Sequence, residues 1–396
     1  MRGGHVTDVR LGGLHLGIDA SNIRLGGGVT HLSQLLAAGE PGSEGIARVT
    51  VWACASTAAQ LPKRSWLRVL SPEWAEASMW RRGVGQQRRL PAELQAERCD
   101  VLFSPGGTLP GRCPVPSVTM SQNMLPFEPE EAMRFGRFSP MRLKMRLLRA
   151  TQGRSFRQAD GVIFLTRYAQ DAVSAALGGL RGQTALIPHG VEPRFFREPR
   201  SPRSLAACSP EAPFRVLYVS IMMPYKHQIE AVRAVGRLRA QGVPVALTLV
   251  GAPWGRYGDA VKAECARFDP QQAFLHVLGA LPFADLHRRY GEADAFLFPS
   301  SCENLPNILL EAMAAGLPIA SARSGPMPEV LGDAGVYFDP TSDAEMAAAL
   351  LTLAEDADLR QTLAANAHER AQAYSWGKCA EQTFAFIAQV AKGAAR

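Results

Sequence analysis

Short apolar runs alternate with helical patterns twice along this chain, and one break separates the two series. The first series places apolar runs at 14–20, 48–53, 101–104, 117–120, 161–165 and 185–188. The second places them at 215–219, 245–251, 275–279, 295–299 and 318–322, with helical patterns at 227–240, 259–268, 284–293 and 306–315 between them. Apolar runs this short, spaced by amphipathic helices, fit parallel strands buried on both faces and linked by crossover helices. The break at 197–213 is rich in Pro, Ser and Arg and reads as an exposed linker. The expectation is therefore two doubly wound α/β domains. The boundaries fall at 1–196, a linker at 197–213, a second domain at 214–375 and a last helix at 376–396. Two such domains enclose a cleft, and open α/β sheets bind ligands at the carboxyl ends of their strands.

Composition narrows the class. Hydrophobic residues make up 47% of the 396 and charged residues 20%, which excludes a disordered chain. The seven cysteines are scattered and never form a Cys-x-x-Cys pair, so a reducing, cytoplasmic setting is expected. The first ten residues lack the apolar stretch of a secretory signal, and no apolar run reaches membrane-spanning length. Net charge is +7 overall, but residues 1–200 carry +10 and the remainder −3. A basic first half suits an anionic partner: a phosphorylated substrate, a membrane surface or nucleic acid.

The most informative string runs from Phe298 to Pro318. A strand ends at Pro299, Asn304 reads as a helix N-cap, Pro306 sits in the first turn and Gly316 stops the helix. Glu303 then stands beside free helix N–H groups, and Glu311 lies two turns along. A helix N-terminus at a strand's carboxyl end attracts anions. A carboxylate nearby can accept two hydrogen bonds from the vicinal diol of a ribose. On these two residues alone, a capping Glu303 and a solvated or paired Glu311 is the simpler account.

The whole string resembles the E-x7-E signature of the family 4 glycosyltransferases, which have the two-domain GT-B fold. Weaker matches follow in order along most of the chain: Gly26-Gly27-Gly28, Pro188-His189-Gly190-Val191, Val219-Ser220 with Lys226, Val250-Gly251, Leu278-Gly279, the stretch from Ser324 to Val330, and Tyr374-Ser375-Trp376. The resemblance implies a retaining glycosyltransferase of bacterial polysaccharide type. Its second domain would bind a nucleotide sugar and its first the acceptor, and the last helix would return to the first domain. Glu311 would hold the donor ribose and Glu303 the sugar near its reacting carbon. Asn304, Leu305 and Pro306 would touch sugar and phosphate, and Ser220 would lie beside the donor. Lys226 would neutralise the leaving diphosphate. Gly27 and Gly28 would let the backbone approach that diphosphate closely. Gln122, Asn123 and Thr166 would line the cleft toward sugar or acceptor, with Thr166 equally readable as a helix N-cap. His31, one turn into the first helix, reads as packing before chemistry. Two positions depart from the family pattern: Ile221 stands where an Arg is usual, and Gln122 where relatives carry His.

No His-x-x-x-His or His-Glu-x-x-His occurs, and neither a metal nor a cofactor is expected beyond the nucleotide sugar as co-substrate. Residues 134–157 hold eight basic side chains, no acid, and interleaved Phe, Met and Leu. They read either as a peripheral contact with anionic membrane or as a helix packed on both sides with solvated Arg. The lack of a further aromatic platform argues against nucleic acid. Two alternatives to the transferase stay open: a non-catalytic nucleotide-sugar-binding partner, and a nucleotide-sugar 2-epimerase on the same scaffold.

Overall fold

The computed structural model describes residues 13–24 and 26–394. The first ten residues, read above as lacking a signal, and Leu25 of the glycine loop lie outside that range. The first sheet contains β1 Leu14–Asp19, β2 Ile46–Trp52, β3 Leu67–Leu70, β4 Val101–Ser104, β5 Ser117–Met120, β6 Gly161–Phe164 and β7 Gln183–Leu186. Its order is β3-β2-β1-β4-β5-β6-β7, with every pair parallel. The second contains β8 Phe214–Val219, β9 Val245–Val250, β10 Leu275–Gly279, β11 Ala295–Phe298, β12 Ile319–Ala322 and β13 Val336–Phe338. It runs β10-β9-β8-β11-β12-β13, again all parallel.

Chain order reverses between β1 and β4 in the first sheet and between β8 and β11 in the second. Those are the topological switch points where an open sheet leaves room for a ligand. The central strands are buried along almost their whole length, as both-face helix cover requires. Two strands escape the sequence pattern, β3 and β13. β3 carries Arg68 within four residues and β13 is only three long, so neither presents a clean apolar run.

The linker is exposed but not a free tether. The Arg197 N–H donates to the Ala314 carbonyl at 3.0 Å. Arg200 donates to the carbonyls of Gly291 and Ala293, and Arg203 to that of Pro213 at 2.6 Å and to Asp294 at 3.2 Å. Arg200 thus occupies carbonyls at the carboxyl end of the helix Phe283–Glu292, where the helix dipole favours a cation. From Arg197 onward the linker is fastened to the second domain.

The chain crosses between domains twice, and the two crossings touch. The Val191 N–H donates to the Tyr374 carbonyl at 3.1 Å. A Cβ on Gly190 would lie 2.1 Å from the Trp376 nitrogen and 2.4 Å from the Ser375 carbonyl carbon. The obstacle is backbone, which cannot swing aside as a side chain can. Gly190→Ala is expected to destabilise the protein by ~2 kcal/mol or more, read as a fall of several degrees in the calorimetric midpoint. An unchanged midpoint would show that the crossings can slide apart.

Beyond the second crossing, the helix Trp376–Ala394 lies on the first domain. It packs against the helix Gly27–Ala38 and the strands β4, β5 and β6. Phe384, Ile387 and Val390 are buried there, with the Phe384 ring tight against Gly39 and Val390 against Gly161.

Candidate active site

Every residue singled out in the first domain follows the carboxyl end of a strand: Gly27 and Gly28 after β1, Gln122 and Asn123 after β5, Thr166 after β6. The same holds in the second domain. Ser220 and Lys226 follow β8, while Glu303, Asn304, Leu305 and Pro306 follow β11. The fold therefore gathers residues far apart in sequence along the two facing sheet edges.

The centre of the site is an ion pair. The Lys226 ammonium sits in a tight 3-10 turn, Pro224–Lys226, and meets a carboxylate oxygen of Glu303 directly. Both side chains are largely buried, which strengthens the attraction and makes an unpaired partner costly. The Tyr225 carbonyl accepts the Ser301 N–H at 2.9 Å, so the 224–226 turn and the 300–303 loop are held as one piece. Ser220 is buried, and its carbonyl lies so close to Gly251 that a Cβ there would fall 1.8 Å away.

The helix after Glu303 differs from expectation. It runs Asn307–Ala314, with Pro306 as the flanking residue and no side-chain cap. Asn304 is not the N-cap. Its amide nitrogen turns to the other domain and donates to Ser121 Oγ at 3.1 Å, while its carbonyl accepts the Thr166 hydroxyl at 3.0 Å. The amide nitrogen is thus paired across the cleft, while the amide oxygen is buried without a hydrogen-bond partner. Gly316 stops the helix with φ near 64°, as expected. Leu305 is buried beneath the turn.

Glu311 lies on the buried face of that helix and accepts a hydrogen bond from the Tyr290 hydroxyl at 2.8 Å. Burial pushes its carboxyl up to about 8; the Tyr290 hydrogen bond only partly offsets this. It is therefore neither solvated nor ion-paired, but a desolvated carboxyl with one partner.

On the other side of the cleft, Gly27 and Gly28 open the helix Gly27–Ala38, whose first N–H groups have no intrahelical partner. A Cβ on Gly28 would stand 3.7 Å from the Gln122 amide oxygen, so the loop and Gln122 face each other. Gln122 Nε2 lies 3.2 Å from His31 Nδ1. His31 stacks on His189 at 4.5 Å between ring centres, and His189 on Trp376 at 5.5 Å. Burial holds both imidazoles below their ordinary range, His189 at about 4. Asn123 is exposed and accepts from its own loop, at Leu125 N. Thr166 caps the helix Arg167–Leu177 by accepting from Ala169 N, and its hydroxyl donates across the cleft to the Asn304 carbonyl.

Sequence reasoning misses two carboxylates that the fold brings to this edge. Glu131 accepts from Ser301 Oγ at 2.5 Å and pairs with Arg134 at 2.7 Å. Glu128 accepts from the Tyr168 hydroxyl at 2.8 Å, and burial raises its carboxyl. Their only local signal is a pair of acids in a Pro-bounded turn. Also missed is the chain's single Asp-x-Asp, Asp356 and Asp358. It heads the helix Ala357–Ala371, where Asp356 caps the chain at Leu359 N. A cavity of about 470 Å3 opens elsewhere, where the linker meets the second domain. Its arginines are engaged by carbonyls and Asp294, so it is set apart from this chemistry.

The comparisons with known proteins agree with this geometry. Residues 213–356 match the family described as "Glycosyl transferases group 1". The O-antigen chain mannosyltransferase B of Escherichia coli is 28% identical over 167 residues, 42% of this chain and 44% of that protein. The sulfoquinovosyl transferase SQD2 of Arabidopsis thaliana is 33% identical over 103 residues, 25% of this chain and 20% of that one. The chain thus spans less than half the length of these curated relatives. Among solved structures, sucrose-phosphate synthase from Thermosynechococcus elongatus superposes with a TM-score of 0.74 at 17% identity, over 97% of this chain and all of that one. Anabaena HepE in complex with UDP gives 0.66 at 20% identity, over 93% and 98%. With both sheets and their order in place, the chain has the GT-B fold of those solved structures, and its residues 213–356 match the group 1 glycosyl transferases.

Proposed function

We propose that the chain moves a sugar from a nucleotide-sugar donor to a glycan or lipid-linked acceptor, with retention of anomeric configuration and without a metal ion. The observation that carries this is the Lys226–Glu303 pair at the switch point of the second sheet, one helix away from Glu311. In the reaction, Lys226 turns from Glu303 to the donor diphosphate. The N–H groups at the starts of the helices Gly27–Ala38 and Asn307–Ala314 add their dipoles. Glu303, released, faces the sugar, and Glu311 takes the ribose hydroxyls. The bond from the anomeric carbon to the diphosphate oxygen breaks as the acceptor oxygen bonds to the same face of that carbon. The acceptor proton passes to the departing phosphate oxygen, so no side-chain base is required.

A thermal-shift screen against UDP-, GDP-, ADP- and dTDP-sugars tests the donor, since a ligand at ~100 times its Kd adds about 2.7 kcal/mol of stability. HepE was solved with UDP, which makes the UDP-sugars the first to try. Sugar transfer with the stabilising donor is expected to persist in excess EDTA. Loss of turnover with EDTA, restored by Mn²⁺ or Mg²⁺, refutes the metal-free mechanism. Ile221 and Gln122 favour a second reading, the non-catalytic binder. Donor stabilisation with neither transfer nor donor hydrolysis would establish it.

The membrane contact extends the same proposal. The helix Pro140–Gln158 buries Met145 against the first domain, with Met141 and Leu148 half-buried beside it. Leu143 is 61% exposed, Leu147 52% and the preceding Phe138 93%, among Arg142, Lys144 and Arg146. The helix is therefore packed on one side only, and its outer side mixes apolar and basic groups, which suits a peripheral contact. Each basic residue near an anionic surface contributes about 1 kcal/mol. The protein is expected to co-sediment with anionic but not neutral vesicles at low salt. Arg142→Glu with Arg146→Glu should lower that binding at least ~10-fold. Equal absence of binding to both vesicle types removes the contact.

A further inference from the structure

The helix Arg167–Leu177 begins at the cleft, and its first N–H groups lack intrahelical acceptors. Thr166 takes the one at Ala169. The two at Arg167 and Tyr168 go to the other domain, donating at 2.8 and 2.9 Å to the two carboxylate oxygens of Glu329. Glu329 stands on the short helix Met327–Leu331, which Arg370 fixes by donating to the Val330 carbonyl. Through the Thr166 hydroxyl, the same helix end holds the Asn304 carbonyl, inside the 303–306 loop. The Tyr168 ring lies against Gly325, where a Cβ would approach it to 3.6 Å.

A helix is ordinarily capped by its own chain. Here the capping carboxylate comes from more than 160 residues away and from the other domain. A carboxylate taking two amides at a helix N-terminus is charge-assisted and aligned with the helix dipole. That free energy exists only while the cleft is closed. Opening it returns the carboxylate and both amides to water.

We infer that Glu329 is a closure clamp: a positioning residue that seats the first domain on the 303–306 loop through the helix Arg167–Leu177. Its effect on turnover rests on the glycosyltransferase reading, but closure itself does not. Closing the cleft and shaping the donor loop become one event, because Glu329 and Asn304 grip one helix end.

Small-angle X-ray scattering of the full chain, without donor, tests this on the wild type, Glu329→Gln and Glu329→Ala. The radius of gyration should increase in that order, because Gln keeps one acceptor oxygen and Ala none. The closed-to-open ratio should fall roughly 10- to 100-fold for Ala. Calorimetric Kd values for UDP, GDP and ADP should change less than ~2-fold, since Lys226 and Glu311 are untouched, while kcat falls. Scattering curves that superpose for all three proteins overturn the clamp. Should Glu329→Ala not fold, Glu329→Gln against wild type decides by the same measurement. A wild type that binds none of the nucleotides refutes the glycosyltransferase reading, and the scattering comparison still decides the clamp.

Discussion

Lys226→Ala is expected to lower kcat/KM for the donor by roughly 100- to 1000-fold, the range seen when one preorganised stabiliser of a leaving charge is removed. The cause is twofold. The diphosphate loses its one identified side-chain cation, and Ile221 supplies no second. Glu303 is also left buried without its partner. Breaking such a pair from one side costs about 3–5 kcal/mol of stability, so the unfolding midpoint should fall as well. Lys226→Ala with Glu303→Gln separates the two effects. Stability should largely return, because no buried charge is stranded, while turnover stays low. A single variant retaining kcat/KM within threefold of wild type would remove Lys226 from the reaction.

Donor affinity should rise with pH and then level off near pH 8. Glu311 has a raised pKa of about 8 through burial, so near neutrality the empty site holds mostly the protonated carboxyl. Ribose hydroxyls donate best to the carboxylate. Binding must therefore remove the proton, and affinity should climb up to ~10-fold per pH unit below that value. Calorimetric titrations in buffers of different ionisation enthalpy should report about one proton released per donor bound near pH 7. Glu311→Gln should flatten the profile and weaken binding roughly 10- to 100-fold at pH 8.5, from lost charge-assisted hydrogen bonds. The donor-free protein should behave oppositely. The unfolded chain releases this proton near its ordinary value of 4.5, whereas the folded chain holds it to about 8. This group's contribution to stability thus declines from about pH 4.5 to 8 and is flat above. Titrations showing no pH dependence and no proton release would remove Glu311 from the ribose site.

The fold was legible because strands buried on both faces must be apolar throughout. The five clear runs of the second domain all became strands, β8 to β12. β3 and β13 were not legible, because Arg68 interrupts the first and the second is only three residues long. In the site, the segment 303–318 could be read locally, since a strand end, a Pro and a Gly stop mark its course. The role of Asn304 could not. Its partners Ser121 and Thr166 belong to the other domain, and only the closed cleft brings them near. The same holds for Glu131 and Glu329. Each looks like an ordinary surface acid until its partner arrives from well over a hundred residues away or from the facing loop.

The helix Trp376–Ala394 has a consequence for how the protein is made. It supplies Phe384, Ile387 and Val390 to the interior of a domain whose sheet is complete at Leu186. A ribosome therefore delivers the strands of that domain long before the piece that covers them. At ~5–20 residues per second, the wait is on the order of ten seconds or more. During that interval the surfaces around Gly39 and Gly161 that will receive Phe384 and Val390 stand open to water. The second domain, needing nothing from this helix, can finish first. The nascent chain thus completes its domains in the reverse of their genetic order, and the first keeps this apolar surface uncovered until Phe384 and Val390 have been made.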